Sequence, residues 1–72
     1  LLAEANMIPI ARYPQLRLIT WNRRADEPLD DDEAYAIYTR NWRFVDTAHL
    51  QQDEMNLLHR LAKKFNAPHL HV

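Results

Sequence analysis

Three observations predict a small α+β domain, with two main amphipathic helices packed on a small sheet in the order β-α-α-β. Apolar residues recur at helical spacing over 34–45 and again over 50–65, and they alternate over 15–21 and 69–72. Capping residues and charge placement mark the ends of both helices. Two strands alone make a poor sheet, so this reading has it completed by a homodimer or by a partner's strand. The 72 residues, 47% of them hydrophobic, suffice for one domain. Residues 1–14 read as a partly disordered N-terminal extension and 15–72 as the folded body.

The elements follow in order. Residues 1–7 permit a short helical turn, which Pro9 ends, and Pro14 keeps the next stretch extended. Position 1 is not methionine, which makes Met7 a candidate natural start. Gln15 to Trp21 predicts a strand, with Leu16, Leu18 and Thr20 on one face and Arg17, Ile19 and Trp21 on the other. Asn22 to Leu29 is a charged loop containing Pro28.

Asp30 precedes Glu33 by three residues, the pattern of a capping box. Carboxylates in that first turn oppose the positive end of the helix dipole. Ala34, Ile37, Tyr38, Asn41, Trp42 and Val45 form the buried stripe, with Tyr35 on its flank and Arg40 and Arg43 outward in the last turn. Asp46 and Thr47 offer the next N-cap. Leu50, Leu57, Leu58, Leu61, Ala62 and Phe65 make the second stripe, while Gln52, Asp53, Asn56, Arg60, Lys63 and Lys64 face water. Asn66 stands in for glycine as a left-handed C-cap, and Pro68 stops the helix. The tail His69-Leu70-His71-Val72 alternates as a short strand would, with Leu70 and Val72 inward.

Composition removes whole classes of chemistry. The chain has no glycine, cysteine or serine. Glycine-rich phosphate loops, dinucleotide fingerprints and nucleophile elbows need glycine's freedom at φ > 0 or a close backbone approach. Without cysteine there is no disulfide, thiolate nucleophile or cysteine-based zinc site. The threonines sit in ordinary contexts, and no catalytic constellation emerges around them. His69 and His71 are weak metal candidates, because two imidazoles without a third ligand make an incomplete set. The expectation is no enzyme, no cofactor, no small-molecule substrate, no membrane span and a cytoplasmic location.

Charge is segregated although the net is −1. Arg12, Arg17, Arg23 and Arg24 carry no acid among them, and Asp26, Glu27, Asp30, Asp31, Asp32 and Glu33 carry no base. Trp, Tyr and Arg are the residues enriched at interface hot spots. The reading is therefore a small, non-catalytic, bacterial-type protein–protein interaction module using Trp21, Tyr35, Tyr38, Arg40 and Arg43. Its partner is a protein or a second copy of itself. The alternative is a nucleic-acid-binding or toxin–antitoxin-type regulator that uses Arg12, Arg17, Arg23 and Arg24, cations interleaved with aromatics. A net-negative chain weighs against it.

Overall fold

Two prolines limit how much sheet the chain can form. The computed structural model describes residues 7–24 and 26–70. In it β1 (Ile8–Pro9) pairs antiparallel with β2 (Pro28–Leu29), Ile8 opposite Leu29 and Pro9 opposite Pro28. Proline has no N–H to donate, so the ladder cannot lengthen through either one. The side chains of Ile8 and Leu29 go into the core.

Three helices supply the rest: α1 (Pro14–Ile19), α2 (Asp31–Arg40) and α3 (Gln52–Lys64), with 3-10 turns before α1 at 10–12, between α2 and α3 at 42–44 and 47–49, and after α3 at 68–70. The architecture is α+β in the broad sense. Its sheet comes from segments other than those whose alternation predicted strands. Residues 15–19 are helical, and Pro68–Leu70 is a 3-10 turn with Leu70 buried as expected. His71 and Val72 lie outside the described residues, as does most of the N-terminal turn expected over 1–7. Ile8 and Ile10 are core residues, so the folded body begins before residue 15.

The apolar stripe of α3 organises the core. Leu57, Leu58, Leu61 and Ala62 are buried on it and cluster with Ile10, Leu16, Ala34, Tyr38 and Val45. The α2 N-terminus is capped as the sequence predicts, with the Glu33 amide donating to Asp30 Oδ1 at 2.7 Å. The α2 helix stops earlier than its stripe. The Asn41 amide group and backbone N–H both donate to the Ile37 carbonyl, and the chain tightens into the 3-10 turn Trp42–Phe44. Such side-chain competition for backbone groups is a usual way to end a helix.

Asp46 and Thr47 do not cap α3, which starts at Gln52 after Gln51. Asp46 instead accepts from His49 Nδ1 at 2.7 Å. At the other end, Asn66 has φ 52° and the Ala67 amide donates to the Ala62 carbonyl at 2.8 Å. That is the six-to-one bond of a Schellman cap, with asparagine where glycine is usual.

Candidate functional site

The site begins with the reason 14–19 is a helix. Pro14 occupies its first position, where the missing N–H costs nothing. The next two amides, of Gln15 and Leu16, donate to Glu54 Oε1 and Oε2 at 3.0 and 2.9 Å. Arg17 makes the first helical bond to the Tyr13 carbonyl. A carboxylate from α3, fully buried, thus caps a helix far away in sequence. The Tyr38 hydroxyl donates to Glu54 Oε2 at 2.5 Å, tying α2 to the same point. Burial first, and then the neighbouring Glu54 charge, push the Tyr38 hydroxyl well above a tyrosine's usual range. Neither side chain reaches the surface, so this pair holds three helices together and faces no substrate.

Helical geometry keeps Leu16 and Thr20 on one face and turns Leu18 away from it. Leu16 and Thr20, four residues apart, point inward, and the Thr20 hydroxyl bonds back to the Leu16 carbonyl at 2.7 Å. Leu18, which strict alternation places beside Leu16, is 64% exposed. Trp21 beyond the helix end is 80% exposed and Phe44 62%. These three line one cleft of about 300 Å³, with Ile19 and Asn41. A second depression of about 260 Å³ continues from it past Trp21, with Arg23 and Arg40 among its walls. The Arg43 guanidinium lies 4.9 Å from the centroid of the Phe44 ring, a cation–π contact. No Asp or Glu lines either depression.

The predicted interface residues divide. Trp21, Arg40 and Arg43 belong to this exposed face. Tyr38 does not, because it is wholly buried at Glu54. Tyr35 is half-buried and stacks on Phe65 with ring centroids 4.4 Å apart, so it packs against the end of α3. Sequence reasoning missed Leu18 and Phe44. The early stop of α2 and the helical state of 14–19 are what expose them.

The basic stretch is largely paired. Arg12 bonds Asp53 at 3.3 Å, Arg24 bonds Asp26 at 2.8 Å, and Arg23 lies 3.6 Å from Glu33. The acidic run and the basic run therefore partly answer each other. Arg17 makes no ion pair among the described residues. The His69 ring meets Thr39 Oγ1 at 3.2 Å, and no three metal-ligating side chains converge among the described residues. No helix of the described residues is long and apolar enough to cross a membrane. A wider, open hollow of about 640 Å³ beside the C-terminal cap of α3 is lined by His59, Lys63 and small residues, with no large apolar side chain.

No protein-family model, no curated protein and no solved structure matches the chain.

Proposed function

We propose that this chain is a small, non-catalytic protein-interaction module that docks through the face formed by Leu18, Trp21 and Phe44, with Arg40 and Arg43 at its rim. One observation carries the reading: three of the largest exposed apolar side chains share a single cleft. Scattered exposed hydrophobics need no explanation, but a contiguous patch with a polar rim is a mark of interaction sites. The residue types are those of hot spots, an aromatic anchor beside arginine. A cytoplasmic location belongs to the same reading, and the lack of cysteine fits it.

Association by extending the sheet has less support, since a proline stands in each two-residue strand. Nucleic-acid binding through 12–24 is also disfavoured, because Arg12, Arg23 and Arg24 are engaged with acids.

The test is capture from nuclease-treated lysate, comparing the wild-type chain with Leu18→Glu/Trp21→Ala. A protein recovered stoichiometrically by the wild type, and at least about tenfold less by the variant, is the expected result. Equal recovery by both, or recovery that vanishes with nuclease, would overturn the proposal.

A further inference from the structure

The charge around the cleft specifies its occupant. Resting on the docking face above, we infer that the partner presents an acidic amphipathic helix, with apolar side chains entering between Leu18, Trp21 and Phe44 and carboxylates meeting Arg40 and Arg43.

Four observations lead there. Arg40 and Arg43 are exposed and make no ion pair among the described residues, unlike Arg12, Arg23 and Arg24. Contact with the Phe44 ring holds Arg43 at the cleft, so less of its freedom is lost on binding. No Asp or Glu lines the cleft or the depression beside it. The nearest acids on α2 are at its opposite end, Asp30–Glu33, with Glu33 3.6 Å from Arg23, and Asp46 past the 42–44 turn is bonded to His49. Seven to ten residues of helix put the acids of that first turn about 10–15 Å along the axis from Arg40, beyond the ~8 Å over which physiological salt screens a charge. Finally, the cleft lies between α1 and the 42–44 turn and is lined by neither strand. A mainly apolar cleft away from both strands suits the apolar face of a helix laid in a groove and offers no sheet edge for strand addition.

A second copy of the chain fits less well. The three exposed side chains offer on the order of 400 Å² of apolar surface, about half of the ~800 Å² of total surface, polar included, that a standard interface takes from each partner. A two-fold axis through the cleft would also bring Arg40 and Arg43 of both copies to one seam, with no acid lining it.

The experiment pans a displayed library of randomised helical peptides, about 16 residues long, against the full chain. A labelled synthetic copy of the most enriched sequence is then titrated. The enriched peptides should be net negative, with apolar residues at i, i+3 or i+4, and i+7. Affinity should fall about tenfold for Arg40→Glu/Arg43→Glu and at least as much for Leu18→Glu. Circular dichroism should be unchanged, since all three side chains are exposed. Enriched sequences without an excess of acids, or a binder that needs Leu18 but ignores the charge reversals, overturn the acidic partner and leave the docking face standing. Binders indifferent to Leu18→Glu, or no enrichment, overturn both. A labelled single-stranded oligonucleotide is run in parallel. Its binding, if abolished by the charge reversals, reassigns the face to nucleic acid and also overturns the inference.

Discussion

Glu54 is the residue on which the most local structure depends, although it touches no exposed surface. Its two oxygens accept from the Gln15 and Leu16 amides and from the Tyr38 hydroxyl. Removing it leaves those donors buried without a partner, at about 1–3 kcal/mol each. Glu54→Ala should therefore cost at least about 3 kcal/mol in urea denaturation, a large share of what a domain this small has. Glu54→Gln should do nearly as badly, because its amide nitrogen faces a donor where an acceptor is required. A loss under about 1 kcal/mol for both would mean that α1 is held by something else. Tyr38 supplies the pH dependence. Its hydroxyl is held above the usual tyrosine range in the folded chain, so above about pH 10 the unfolded chain gives up a proton that the folded one keeps. Folding stability should then fall by up to about 1.4 kcal/mol per pH unit from this group. Tyr38→Phe should be less stable at neutral pH yet lose that part of the alkaline decline. Parallel declines in the two proteins would show that the hydroxyl does not titrate as its surroundings require.

At the scale of elements, α1 shows where sequence patterning stops being decisive. Leu16, Arg17, Leu18, Ile19, Thr20 and Trp21 alternate and favour a pleated surface. Pro14 favours a helix start, but Glu54, which settles the matter, lies 38 residues beyond Leu16. Its place was nonetheless visible. Glu54 falls three and four residues before Leu57 and Leu58, on the apolar stripe of α3, where an acid has no business unless it has partners. By contrast, the start of α2 and the end of α3 were legible because Asp30 accepts from an amide three residues on and Asn66 supplies the left-handed backbone itself, both local effects. The β1–β2 pair was illegible, being two residues long and rich in proline. The helix makes a prediction opposite to the strand's. Leu16→Ala should cost about 2–5 kcal/mol, as a truncation in a closed core does, while Leu18→Ala should change stability by less than about 0.5 kcal/mol. Similar losses at both positions would restore the strand.

For the whole molecule, polar links add to the core by joining α1, α2 and the 10–12 turn to α3. Glu54 ties in α1 and α2, and Asp53 reaches Arg12. The third link runs from the first turn of α2. Asp31 is 4% exposed, and its Oδ2 accepts from Arg60 at 3.0 Å and Lys64 at 2.9 Å, one turn apart on α3. Its Oδ1 is buried with no hydrogen-bond partner among the described residues. The carboxylate thus depends on cations that are themselves half-exposed. An exposed ion pair alone contributes little, but a buried charge stripped of its last partner is costly. Redundancy follows. Arg60→Ala and Lys64→Ala should each cost under about 1 kcal/mol, because the remaining cation still serves Asp31. The double variant should exceed the sum of the two by about 1–2 kcal/mol, a coupling readable from a double-mutant cycle in urea. Strict additivity would mean that each cation acts on its own, with Asp31 held by the α2 dipole. A positive coupling would make this cluster the clamp that fixes α2 on α3, and with it the position of Arg40 at the far end of the same helix beside the docking face.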